Sequence, residues 1–263
     1  MSDESLNIPA STRTPLASPR VVLPGRGAQW WSEAWRLFVA GVVPWLLIVV
    51  ILVVLHVCLS LIPIVGHLAS SVLTPVFVGG LMLGSRAADR GEALSVSHLF
   101  AGFSSHAGPL LVVGLLYTAF LIAILMIVAA ILFMSFGAAL LAQVFELQNP
   151  ASAYPALGQM LYAVMVGVLL LLALILPLVM AVWFAPALVV LGGAAPWTAM
   201  KLSFSGCLKN FAPFLVYGLI GVVLAIVASI PLMLGWFVLG PVAIASVYTS
   251  YCDIFEDERR EAD

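Results

Sequence analysis

A chain of 263 residues that is 63% hydrophobic and 8% charged cannot maintain a water-soluble surface, because soluble domains carry about a quarter charged residues. Its net charge of −2 is too small for nucleic-acid binding or for long-range steering of an ionic substrate. The expected class is therefore all-α, a polytopic membrane helix bundle with six transmembrane helices.

Residues 1–24 are polar and proline-bearing and read as a disordered tail. The first apolar run begins only near Gly41, too late for a cleaved signal peptide. Before it, Trp31, Trp35 and Phe38 recur at four- and three-residue spacing and share one helix face, with Glu33 and Arg36 away from it. Trp prefers the headgroup level, so this segment is expected to be an interfacial anchor; the equal alternative, for all three short helices, is that their stripes pack against the cytoplasmic ends of the spans and never meet lipid.

The first span, 44–62, holds fourteen Leu, Ile or Val residues, which favour insertion by roughly 4 to 8 kcal/mol. His56 lies at its middle and is a candidate for a substrate or proton role, since ionisable groups are expensive inside a bilayer. The bland alternative is a structural histidine bonded to Ser60, one turn later. The second span, 68–86, carries Pro75 and the small residues Gly80 and Gly84. A second interfacial helix around Val96, Leu99 and Phe103 leads to the third span, 109–133. Residues 134–160 contain one charge, Glu146, and their apolar Leu141 and Phe145 are candidate partner contacts.

The fourth span, 161–194, contains Pro177 and Pro186. Dividing it would give halves of about 16 residues, too short to cross, so one long kinked helix is expected. Pro196 opens a third interfacial helix, in which Trp197, Met200 and Phe204 form a stripe and Lys201 and Lys209 can meet anionic headgroups. The fifth and sixth spans are 213–230 and 236–252, the latter with Pro241, and 256–263 form a charged tail. Pro75, Pro186 and Pro241 each free a backbone carbonyl, which makes them candidates for lining a cavity, although packing accounts for them as well.

All ten Lys and Arg residues fall on one side of this six-span arrangement, which predicts cytoplasmic N- and C-termini. The chain also repeats itself. Ile62-Pro63 with Gly66 and then Pro75 matches Ile230-Pro231 with Gly235 and then Pro241, and the middle pair fits loosely through Pro186. An aromatic-bearing segment precedes Pro44, Pro109 and Pro213 alike. The expected domain, 25–255, is thus three units of an amphipathic interfacial helix plus a hairpin, at about 28–90, 95–195 and 196–255.

Cys58, Cys207 and Cys252 are odd in number and expected to be reduced, and His56 and Cys58, two apart, point to different sides of a helix. No metal or other cofactor is expected.

The segment Trp30-Trp31 with Ala34 to Phe38, the Ile62-Pro63-x-x-Gly66 turn, the Asp89-Arg90-Gly91-Glu92 loop leading to His98-Leu99-Phe100, and the ending Tyr248-x-x-Tyr251-x-Asp253-Ile254-Phe255 resemble an uncharacterised proteobacterial family of six-helix inner-membrane proteins. The similarity covers about residues 26 to 255. It implies a bacterial inner-membrane location and supplies no reaction. More distantly the chain resembles the membrane domain attached to some glycerophosphodiester phosphodiesterases, without a catalytic domain of that kind.

With no G-x-S-x-G, no H-E-x-x-H and no paired carboxylates within the spans, the chain reads as non-enzymatic. The leading expectation is a scaffold or accessory subunit that binds membrane lipids or another membrane protein. The runner-up is a transporter or flippase for a hydrophobic or lipid-like substrate. A membrane-opening groove lined by His56 and the three prolines would favour the runner-up, and a closed bundle would favour the scaffold.

Overall fold

Three long helices begin alike: α2 (Val42–Ser60), α4 (Ala107–Glu146) and α8 (Phe211–Ser229) carry proline as their third residue, at Pro44, Pro109 and Pro213. At that position the missing N–H would have had no intrahelical acceptor, so the ring costs nothing. The next residue makes a backbone bond of 3.1 Å in every case, Trp45 to Gly41, Leu110 to His106 and Phe214 to Asn210. The computed structural model describes residues 18–104, 106–146 and 153–256, with the side chains at 138–146, 153–157, 159 and 160 outside that description.

Each of these helices is followed by another apolar one: α3 (Val65–Asp89), α5 (Ala153–Trp183) with its short continuation α6 (Ala185–Val190), and α9 (Trp236–Phe255). Among the described residues, six helices are long and apolar enough to cross a membrane, the fourth running through the α5–α6 bend. The chain is accordingly an all-helical integral membrane protein. The short elements are α1 (Arg26–Ala40), a 3-10 helix (Val96–Phe103) and α7 (Pro196–Lys209).

The α2–α3 turn is tight. Val65 N–H donates to Pro63 O at 2.7 Å and places the β-branched Ile64 at φ 62°, ψ −61°, a γ-turn of the strained kind. In the α8–α9 turn Leu232 and Met233 likewise take positive φ, 49° and 67°. The middle hairpin is longer: 40 residues make α4 about 60 Å long, against a hydrocarbon core of about 30 Å.

The kink in the fourth span does not sit at Pro177, which stays within continuous helix. It sits at Phe184, where the Ser203 hydroxyl of α7 is spliced into the helical ladder. That hydroxyl accepts Phe184 N–H at 2.9 Å and donates to Met180 O at 2.6 Å. An inserted side chain is an established cause of helix bending, and Pro186 on the far side removes one more ladder bond.

α3 packs against α4, α6 and α9, and the buried core runs through Val76, Leu81, Leu110, Leu188 and Ala245. The outer faces of α2, α4, α5 and α8 keep their Leu, Val and Ile residues exposed, as a bilayer solvent permits.

Of the two expectations for the short helices, packing on the spans describes α1 and the 3-10 helix better. Instead of presenting an outward stripe in the headgroup plane, α1 and the 3-10 helix run back along spans. α1 follows α9, pairing Arg26 with Asp253 and Trp30 O with Thr249 Oγ1 (3.1 Å). The 3-10 helix follows α3 so closely that a Cβ on Gly102 would lie 2.1 Å from Val76 O. Gly27 of α1 meets Pro213 O of α8 at the same 2.1 Å, so only glycine permits either approach. α7 crosses the α5–α6 junction and reaches α4, where Trp197 stacks on Phe120.

Residues 18–24 correct the expectation of a disordered tail over 1–24. Arg20 N–H donates to Ile254 O at 2.9 Å. Val22 N–H donates to the buried Asn210 Oδ1 at 2.8 Å, and Asn210 Nδ2 donates back to Arg20 O at 2.8 Å. Residues 1–17 and 257–263 lie outside the described residues.

Candidate functional site

Because α7 lies across α4 and α5 rather than between them, it roofs a groove instead of filling one. α4 contributes Phe120 and Ile124 to this groove, α5 contributes Leu174, Pro177, Leu178 and Ala181, and α7 contributes Trp197, Met200, Lys201 and Phe204. Its volume is about 510 Å³, in the range of single small-molecule sites, and it opens on the outer face of the bundle. Nine of the ten lining side chains are apolar or aromatic, and Lys201 is the one formal charge. Lys201 and Trp197 are exposed at the α7 side, and neither has a hydrogen bond or ion pair among the described residues. The arrangement suits an amphiphile, with an apolar body against α4 and α5 and a negatively charged end at Lys201.

A second constellation gathers where both described chain ends meet. Asp253 of α9 accepts from Arg26 Nε at 2.6 Å and from the indole of the fully buried Trp30 at 2.9 Å, while Glu33 holds the other side of Arg26 at 3.1 Å. Burial pulls the Arg26 guanidinium down, but the Asp253 hydrogen bond and the charges of Glu33 and Asp253 outweigh it and leave it above its ordinary value. Arg86 pairs with Glu256, and Tyr248 donates to Asp89 at 3.0 Å. Next to this cluster Trp31 stacks on Tyr217, 4.7 Å between centroids and 8° between planes, and donates to Tyr217 O. This is a clasp, with its donors and acceptors already engaged with one another.

The expected site residues divide between these places. Trp197, Lys201 and Phe204 come together in the groove. Trp31 and Phe38 are buried between helices, which goes against their reading as lipid-facing anchors and with the alternative of packing on the spans, and only Trp35 of that stripe is half exposed. Pro75, Pro186 and Pro241 are buried in the packed centre and line no described cavity. His56 is exposed on the outside of α2. Its neighbour is Ser70 of α3, Oγ to Nδ1 3.4 Å, not Ser60, whose hydroxyl donates to Val57 O. α4 extends to Glu146, past the expected end of the third span at 133, and the side chains of Leu141 and Phe145 lie outside the described residues.

Phe120, Ile124, Leu174 and Leu178 were not singled out by sequence, because an apolar residue lining a groove leaves the same trace there as one facing lipid. Among the described residues no three of His, Cys, Asp and Glu converge as metal ligands. Burial pushes the Cys207 thiol up to about 12, against a smaller opposing effect of Ser203.

No family model, no curated protein and no solved structure matches this chain.

Proposed function

We propose that this membrane protein is a non-enzymatic scaffold or accessory subunit of the bacterial inner membrane that binds a lipid-like molecule in the groove between α4, α5 and α7, with both termini in the cytoplasm. The observation that carries this reading is the groove itself, apolar throughout except for Lys201. The convergence of Arg20, Arg26, Arg86 and Lys209 at one end of the bundle supports the orientation, since basic residues are retained on the cytoplasmic side. The family resemblance, which would place the chain in that membrane, is part of the same proposal.

The three-unit organisation belongs to it too, and burial supports it. Counting back from Pro44 and Pro213, Trp30 and Ala199 correspond, as do Trp31 and Met200, Ala34 and Ser203, Leu37 and Gly206, and Phe38 and Cys207, and every one of these ten is buried. Each short helix packs chiefly on one hairpin: the 3-10 helix on α3, α7 on α5 and α6, and α1 on α9 and α8.

Transport has less to rest on. A groove lined by His56 and the three prolines would favour it, and none of these four residues lines the groove between α4, α5 and α7.

The test is purification of the full chain in native bilayer discs with mass spectrometry of retained lipid. Wild type should keep lipid through delipidating washes, and Ala181→Leu or Met200→Trp, which fill the groove, should keep less. Equal retention in all three would remove the groove from consideration.

A further inference from the structure

We propose that the groove selects an anionic glycerophospholipid, with an acyl chain along α4 and α5 and the phosphate at the Lys201 ammonium. The inference rests on the lipid-binding reading above and names its ligand class.

The first ground is charge. Among the described residues Lys201 is the one ionisable group in the lining, and no carboxylate shares the groove with it. Four of the described carboxylates are held in pairs of their own: Glu33 and Asp253 on Arg26, Glu256 on Arg86, and Asp89 with Tyr248. An ammonium at the mouth of an apolar groove attracts a headgroup of net negative charge, whereas a choline or ethanolamine headgroup brings its own cation beside it.

The second ground is the amphipathic partner. The half-exposed Trp197 stands beside Lys201 on α7, stacked on Phe120 at 6.4 Å, with an indole N–H that has no acceptor among the described residues. Indole at headgroup level donates to phosphate or ester oxygens while its ring stays in the apolar layer. The deep part of the site, Ile124, Leu174 and Leu178, offers no polar atom, which fits an acyl chain.

The third ground is the contrast with the position corresponding to Met200. There Trp31 fills the space against α8, stacked on Tyr217. Met200 is slimmer, and the space beside it stays open.

The experiment reconstitutes the full chain in vesicles of equal phosphatidylglycerol and phosphatidylcholine with matched acyl chains, followed by native mass spectrometry of the lipid that survives washing. Wild type should retain phosphatidylglycerol over phosphatidylcholine by about five-fold, the preference one interfacial cation confers. Lys201→Gln should retain lipid without the preference, and Arg90→Gln, an exposed cation in the loop after α3, should keep it. Equal retention of both lipids by wild type would overturn the headgroup assignment while leaving lipid binding standing. So would loss of preference in Arg90→Gln as large as in Lys201→Gln, which would mean overall surface charge. Retention of free fatty acid in place of phospholipid would overturn it as well. Absence of any retained lipid in wild type would instead sink the lipid-binding reading itself.

Discussion

Replacing Asp253 with Ala should loosen α1 from α9, and the size of the effect follows from what each hydrogen bond loses. Arg26 and Asp253 have side chains 31% and 18% exposed, and Arg26 keeps Glu33 at 3.1 Å after the change. Screening and the surviving partner hold that part of the loss to about 1 kcal/mol. Trp30 has no substitute: its residue is fully buried and its indole N–H would be left without an acceptor, at about 1–3 kcal/mol. The sum is about 2–4 kcal/mol for Asp253→Ala, and less for Asp253→Asn, which keeps one acceptor oxygen. The assay is reversible unfolding in mixed detergent micelles, paired with the rate of tryptic cleavage at Arg20 and Arg26, which should rise as α1 detaches. Trp30→Phe removes the N–H but keeps a ring against Phe214, so a double-mutant cycle with Asp253→Ala should give a coupling of about 1 kcal/mol or more. Additive single effects, or an Asp253→Ala protein within about 0.5 kcal/mol of wild type, would refute the clasp.

Other substitutions probe the remaining contacts, each followed in the same unfolding assay unless stated. Gly102→Ala should cost about 3 kcal/mol or more, because the new Cβ meets the Val76 carbonyl and backbone must shift; an effect below about 1 kcal/mol would mean the 3-10 helix is not seated there. Ile64→Gly should stabilise by about 1 kcal/mol, since relief of positive-φ strain outweighs the entropy that glycine adds to the unfolded chain, and a destabilised variant would contradict the γ-turn. Ser203→Ala should cost about 1–3 kcal/mol by orphaning the Phe184 N–H, unless the α5–α6 ladder closes directly, which an unchanged stability would reveal. In maleimide labelling near pH 8, a value well below the raised Cys207 pKa, Cys207 should stay unmodified in the folded chain and react after denaturation.

The spans were legible because their signals are local. Long charge-free tracts, prolines three residues into α2, α4 and α8, and tight turns after Ile62 and Ile230 are all properties of neighbouring residues. What failed was any inference that needed to know what lies opposite a face. Trp31 and Phe38 do share an apolar face, but in a bilayer both lipid and protein are apolar, so periodicity does not say which one the face meets. The four-residue rule gave His56 the partner Ser60, yet a helix packed alongside brought Ser70 within 3.4 Å. The kink was expected from proline alone, and the hydroxyl that inserts at Phe184 comes from 19 positions later in the chain. The groove was half visible. Trp197, Lys201 and Phe204 stood out as aromatic and basic residues of one short helix, while the walls on α4 and α5 carried no polar mark.

The proposed repeat bears on why α1 is clasped so firmly. If each unit seats its short helix on a hairpin, α1 takes the α8–α9 hairpin and so closes a ring between the first and third units. The hydrogen bonds of Arg20 to Ile254, Arg26 to Asp253 and Trp30 to Asp253 lie at that closure, and they join residues more than 220 positions apart. Helices in lipid gain no hydrophobic drive from meeting each other, so a closure between chain ends depends on polar bonds and close ring packing. Both are present where α1 meets α8 and α9, through Asp253 and through Trp31 on Tyr217. The corresponding face of α7 carries Met200 with Lys201 beside it, a slim side chain and an uncompensated charge. In the proposed repeat, aromatic packing at one junction and an open groove at another would keep stability and the proposed binding site in different units, so a ligand at α7 would leave the joint between α1 and α9 intact.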